Sequence, residues 1–271
     1  MFNSTIKKVF YQIFKGVAFP AWNSQLKGVK LIIDPMMPNF HFWRDVEIEG
    51  HFVYDNFIKD GNVIFDIGGN VGLHSAYFAT KFRDTKVFTF EPLPENVTYL
   101  KKLITLNKLS NIQLIEKAVG GTSGTVYFDR DKNNHQGHIT NQVSDLSVQV
   151  TSLDDFITKN NVLPNFIKID VEGFEGDVLD GFHQKVADSN PFVIIEIHGT
   201  EQGRRVATFF RTRSYTMFRL TDRKEWDQYK QLVYLENESD NPEIPNQFWG
   251  VVLAIPDALK EQYKHLCNRI A

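Results

Sequence analysis

The sequence predicts an α/β fold: a mostly parallel, doubly wound sheet with helices on both faces. Two observations carry this. From residue 62 onward, short apolar runs alternate with helical patterns, and strict βα alternation makes a parallel sheet. The first of these runs, VIFDIGGNVGLHSAYFAT over residues 63–80, reads as a buried strand, a tight glycine turn and a helix.

The remaining elements follow in order. Strands are expected near 62–66, 86–90, 112–116, 166–171, 192–197, 215–220 and 247–254. Helices are expected near 72–82, 94–107, 152–159, 174–181, 200–212 and 257–269. Ahead of them, residues 26–36 read as a hairpin or edge strand, and 45–59 as a helix lying over the sheet. Residues 121–150 interrupt the alternation, with strand-like runs GTVYFD and SVQV around the polar stretch RDKNNHQGHITNQVSDL. A polar insertion of this length is expected over the C-terminal edge of the sheet, as a lid on the acceptor, with a solvated hairpin tip as the other reading. The expected division is 1–44, an N-terminal helix with edge strands, and 45–271, the main domain with the insertion.

Composition narrows the function classes. The 271 residues are 42% hydrophobic, enough for a full core, and the net charge of −3 gives no basic field for nucleic acid. Cys267 is the only cysteine, so no intrachain disulfide can form. No signal-peptide core and no run of about 20 apolar residues occurs, which predicts a cytoplasmic protein without a transmembrane segment. Residues 4–19 are amphipathic, with Ile6, Val9, Phe10, Ile13, Phe14 and Val17 on one face. That face suits packing on the domain or on a second subunit, in a monomer or homodimer; peripheral membrane contact is the other reading.

The glycine turn indicates the ligand. A dinucleotide fingerprint from Gly68 needs glycines at Asn70 and Leu73, and a phosphate loop needs a Gly-Lys-Ser/Thr ending; both are absent. What stands is Asp66 at the strand tip followed by Gly68, Gly69, Asn70 and Gly72. That arrangement suits a ligand without phosphate and with a cationic amino-acid end: S-adenosylmethionine. Glu91, 25 residues after Asp66, closes the run KVFTF and is placed to accept from the ribose hydroxyls of a nicotinamide or S-adenosylmethionine ligand, the glycine pattern favouring the latter; an acid at the following helix's N-terminus is the other reading.

A second group sits in FIKIDVEGFEGDVLDGF, residues 166–182. As a continued strand it puts Lys168, Asp170 and Glu172 on one face, where a buried parallel strand should be apolar. The next strand, FVIIEIHG, adds Glu196 and His198 on one face at its end. Adjacent strands would gather these groups beside the ligand crevice, as a functional cluster, a Lys168 ion-pair network, or both. They could ligate a divalent cation or supply a general base. The metal-free base is favoured, because no compact ligand motif is present. His135 and His138, in the insertion, are candidates for reaching the acceptor. Asn190-Pro191-Phe192 reads as a loop.

The segments FDIGGNVG, FEPLPENVTYLKKLITLN, TSLDDF and IKIDVEGFEGDVLDGF closely resemble the FkbM-type methyltransferase family, over roughly residues 45–200. The resemblance implies a class I methyltransferase (Rossmann-like) fold, a seven-stranded sheet with its last strand antiparallel. It implies methyl transfer from S-adenosylmethionine to a hydroxyl, commonly on a sugar or a polyketide-type product. It puts Asp66, Gly68, Gly69, Asn70 and Gly72 at the methionine end, Glu91 at the ribose, and Asp170 near the transfer site. The family usually carries a small residue such as Ala where Gly69 stands. The expected partner is a small-molecule or glycan acceptor. A scaffold that kept the fold and lost catalysis is the alternative, and a nicotinamide oxidoreductase is disfavoured by the glycine spacing.

Overall fold

A computed structural model describes residues 16–21, 25–32, 50–130, 137–140, 146–220, 232–234 and 248–268. The residues of the expected N-terminal helix before Gly16 lie outside these, as does His135.

Among the described residues the first elements are β1 (Ala18–Pro20) and β2 (Lys30–Ile32), an antiparallel pair that forms a sheet of its own. Helix α1 (His51–Phe57) follows, then β3 (Val63–Ile67), α2 (Leu73–Lys81), β4 (Lys86–Phe90), α3 (Pro94–Asn107) and β5 (Ile112–Ile115). The insertion holds β6 (Ala118–Val119), β7 (Gly124–Arg130), β8 (Gly137–Thr140) and β9 (Leu146–Thr151). Helix α4 (Leu153–Asn160), β10 (Phe166–Ile169), α5 (Glu175–Asp180), α6 (Val186–Ser189), β11 (Phe192–His198), α7 (Thr200–Arg211) and β12 (Tyr215–Leu220) complete the alternation. The chain closes with β13 (Leu232–Tyr234), β14 (Phe248–Pro256), a 3-10 segment (Lys260–Leu266) and β15 (Cys267–Asn268).

The main sheet runs β15-β13-β12-β14-β11-β10-β3-β4-β5. From β5 to β12 this is the expected seven-stranded class I methyltransferase order. Strand β14, the last of the seven in sequence, is antiparallel to both its neighbours, β11 and β12. The two short strands β13 and β15 extend that edge beyond the expectation.

Alternation along the strands builds two cores. Phe65, Ile67, Phe88, Phe90, Ile167 and Ile169 face α4, α5 and α7, whereas Ile64, Val87 and Phe166 face α1 and α2. Burial on both faces explains why these strands read as continuous apolar runs. Helix α4 starts where Ser152 Oγ accepts the Asp155 N–H at 3.1 Å, an N-cap of the usual kind. No helix among the described residues is long and apolar enough to cross a membrane.

Three expectations change. The strand expected over 166–171 stops at Ile169, because Glu172 (φ 52°) and Gly173 (φ 102°) take left-handed backbone that ends any pleat. Alternation therefore does not put Glu172 on the Lys168 face. The insertion is not a hairpin around a loop: it forms a four-stranded sheet, β6-β9-β7-β8, with β8 drawn from the polar stretch. Its Val148 and Val150 pack on Leu93 and Ala118, two residues past Glu91 in the case of Leu93. The helix expected over 257–269 is a 3-10 segment followed by β15.

Candidate active site

The glycine turn is built by close approach. Gly68 has φ +79°, and a Cβ there would lie 1.8 Å from the Asp170 carbonyl oxygen, so only glycine lets the β3 and β10 loops meet. Gly68 and Gly69 N–H both donate to the Phe90 carbonyl, at 3.0 and 2.9 Å. A Cβ on Gly69 would lie 2.2 Å from Thr89 Cγ2. The departure at this position thus has a local cause: the Thr89 methyl occupies the space an alanine would need.

Asp66 sits beneath the turn with no exposure. Its Oδ2 accepts from Ser75 Oγ at 2.5 Å, and Ser75 Oγ lies 2.6 Å from Thr89 Oγ1. With the Ser75 hydrogen committed to Asp66, Thr89 must donate to Ser75. Burial pushes the Asp66 carboxyl above its ordinary range, and Lys168, 3.6 Å from Oδ1, opposes that. Lys168 also donates to the Gly68 carbonyl at 3.3 Å and reaches Asp170 at 3.4 Å. Burial pulls its ammonium down, but Asp170, Asp66 and Glu196 prevail and its pKa is raised. Lys168 is therefore a buried tie between the turn and the Asp170 loop.

Glu91, at the end of β4, is buried and rigidly held. Its Oε2 accepts the Asn70 N–H at 2.7 Å, and its Oε1 accepts from Leu93 N at 2.9 Å and Asn96 Nδ2 at 3.3 Å. Burial pushes its carboxyl up to about 7, against these donors and Lys168. Two carboxylate oxygens offer about four acceptor directions, so capacity remains on Oε2 for a ligand hydroxyl. A carboxylate at a strand tip, beside a turn that excludes side chains, fits the ribose and methionine ends of S-adenosylmethionine.

One strand further on, the second group assembles. His198 sits where the β11–β14 register shifts, between Ile197 and His198. Its Nε2 lies 3.4 Å from Glu172 Oε2 and 3.9 Å from Glu196 Oε1. Its Nδ1 lies 2.9 Å from Glu175 Oε1. Asp170, Glu172 and His198 each offer a ligand atom within 4.8 Å of the others. Burial alone would lower the His198 pKa, but the hydrogen bond to Glu175 and the charges of Glu175, Glu172 and Asp170 push it up to about 9. The imidazole is thereby biased toward its protonated form.

Sequence reasoning missed Glu175. It is fully buried at the start of α5, accepts the Gly173 N–H at 2.8 Å, and orients His198. The signal was present: Glu175, Val178, Leu179 and Phe182 share the i, i+3, i+4, i+7 face of a helix, so an acid stood on an apolar stripe. Arg205 of α7 clasps this helix through Asp177 (2.8 Å) and Asp180 (2.6 Å). His138 falls on β8, with its side chain outside the described residues.

Residues 66–228 match the model of the methyltransferase FkbM domain. The hexuronic acid methyltransferase AglP of Haloferax volcanii is 30% identical over 142 residues, 52% of this chain and 57% of that protein. Methyltransferase 1 of Beauveria bassiana is 26% identical over 51% of this chain and 65% of its own length. The chain thus spans under two thirds of each of these relatives. A solved structure of methyltransferase FkbM from Methylobacillus flagellatus KT is 17% identical, with TM-score 0.46, over 73% of this chain and 44% of that one.

Proposed function

Because the chain belongs to the FkbM methyltransferase family, we propose that it moves a methyl group from S-adenosylmethionine to a hydroxyl of a small molecule or glycan. A sugar hydroxyl is the acceptor this reading favours, supported by the relative named for hexuronic acid. The observation that carries it is Glu91, a buried carboxylate fixed by three N–H donors beside a turn too tight for side chains. A group so held accepts from ribose hydroxyls without reorganising.

The cofactor supplies an electrophilic methyl on sulfonium. This chain's residues do the rest. Glu91 and the turn hold the donor over β4 and β3, and the carboxylates at the ends of β10 and β11 face the acceptor side. Holding two reactants at near-attack distance accounts for up to about 7–11 kcal/mol of the barrier. The acceptor proton leaves to a group of this cluster, His198 or Asp170. The sheet of β6–β9, packed on Leu93, is the proposed lid that keeps water out.

Calorimetric titration with S-adenosylhomocysteine tests the reading first. Micromolar binding that is lost in Glu91→Ala supports it, and transfer of labelled methyl to hydroxyl acceptors completes it. A folded protein that does not bind S-adenosylhomocysteine overturns it; binding with no turnover on any hydroxyl acceptor turns it into the scaffold alternative.

A further inference from the structure

We propose that Glu175 is a positioning residue for methyl transfer: it holds the neutral His198 ring with its hydrogen on Nδ1, so that Nε2 takes the acceptor proton. The inference rests on the methyl-transfer reading and deepens it by choosing His198 over Asp170.

An ionised carboxylate only accepts, so the 2.9 Å contact between Glu175 Oε1 and Nδ1 puts a hydrogen on Nδ1. The same oxygen accepts the Gly173 N–H at 2.8 Å, which fixes the carboxylate in turn. A neutral imidazole with its hydrogen on Nδ1 carries its lone pair on Nε2. That nitrogen faces the other way, toward Glu172 at 3.4 Å and Glu196 at 3.9 Å, at the strand ends where ligands bind in such sheets. The His198 side chain keeps 24% exposure and Glu175 none, so an acceptor can reach the ring but not the acid behind it. Asp170 is engaged by Lys168 at 3.4 Å, in the tie between the two loops. In the step itself, the acceptor oxygen bonds to the methyl carbon as the carbon–sulfur electron pair returns to sulfur. The hydroxyl proton passes to Nε2, and S-adenosylhomocysteine and the methyl ether are the products.

Packing does not explain the acid. Glu175 shares its face of α5 with buried Val178, Leu179 and Phe182. It has no exposure, and its Oε2 is buried without a hydrogen-bond partner among the described residues. An unmade buried acceptor is destabilising, and residues that break local rules in this way gather at functional sites. Nor does α5 need Glu175 as an anchor. Arg205 of α7 binds Asp177 and Asp180, and Gln202 Oε1 accepts the Gly176 N–H at 2.9 Å. The contact that distinguishes Glu175 is the one to the ring.

The test starts with the tautomer, which needs no acceptor. Two-bond ¹H–¹⁵N spectra of the full chain labelled with ¹⁵N-histidine, at a pH above the ring's titration, show which nitrogen carries the hydrogen. His198→Gln assigns the signal. Wild type should carry the hydrogen on Nδ1. Glu175→Gln, whose amide can donate to Nδ1, should move it to Nε2. With labelled S-adenosylmethionine and a hydroxyl acceptor that the wild type methylates, that variant should lose about 10²–10⁴-fold in kcat, with KM for S-adenosylmethionine unchanged. Titration with S-adenosylhomocysteine reports folding and the cofactor separately, so a wild type that does not bind it fails the methyltransferase reading and not this one. The wild-type tautomer decides by itself where Glu175→Gln does not fold. A hydrogen on Nε2 in wild type, a tautomer unmoved in Glu175→Gln, or an unchanged kcat in a variant whose tautomer has moved overturns the proposal.

Discussion

Glu91→Gln should change how stability depends on pH, in a direction fixed by burial. The carboxyl moves from an ordinary value of 4.5 in the unfolded chain to about 7 in the folded one. Between those values the folded protein holds a proton that the unfolded chain has released, so stability falls as pH rises. The contribution is complete below about pH 4.5 and gone once pH passes the folded value of about 7. At about 1.4 kcal/mol per pH unit, that interval is worth about 3 kcal/mol. Urea unfolding of wild type and Glu91→Gln at several pH values between 4 and 8 isolates it, because all other titrating groups are shared. Wild type should lose about 3 kcal/mol relative to the variant across the range. Parallel profiles would refute the reasoning and mean that the three N–H donors fully offset burial. Ribose hydroxyls donating to the carboxylate should favour its ionised form, so cofactor binding near pH 6.5 should release protons, visible as a buffer-dependent binding enthalpy.

Other perturbations read the packing around the turn. Gly69→Ala should destabilise by about 1–3 kcal/mol through overlap with Thr89 Cγ2, and Thr89→Ser in the same chain should recover most of it in a thermal-unfolding cycle. Additive effects of the two changes would sink that account. Ser75→Ala withdraws the donor from a fully buried Asp66 and should cost about 1–3 kcal/mol by denaturant unfolding. Arg205→Ala, which frees partly exposed Asp177 and Asp180, should cost only about 1 kcal/mol, and a loss several times larger would show that the clasp of α5 onto α7 is central to the fold.

The sheet was legible because its strands are buried on both faces and its helices are periodic: the bounds of β4, α3 and β12 match the reading residue for residue. Glu91, Asp170 and His198 were legible as acids or imidazole at strand ends, where ligands bind in such sheets. Period-two reasoning failed at Glu172, since nothing in the letters Val-Glu-Gly announces that the left-handed turn begins one residue before the glycine. Strand β8 hid in a polar stretch, GHIT within RDKNNHQGHITNQVSDL, that shows no apolar alternation. Glu175 was harder to place because it reaches His198 from a helix 23 positions earlier in the chain, a pairing that only the tertiary fold creates. The link between Gly69 and Thr89 lies 20 positions apart, where only backbone geometry joins them.

The contact of Gly68 with the Asp170 carbonyl has a thermodynamic consequence. Backbone touches backbone there, and Lys168 bonds to both sides of the junction. The turn that would hold the donor and the loop that would face the acceptor thus share one rigid seam. A molecule that displaces either side must displace the other, so occupancy at one site alters affinity at the other by the same factor in both directions. Donor and acceptor binding in this chain should be reciprocally coupled, through a seam whose integrity depends on Gly68 and Lys168.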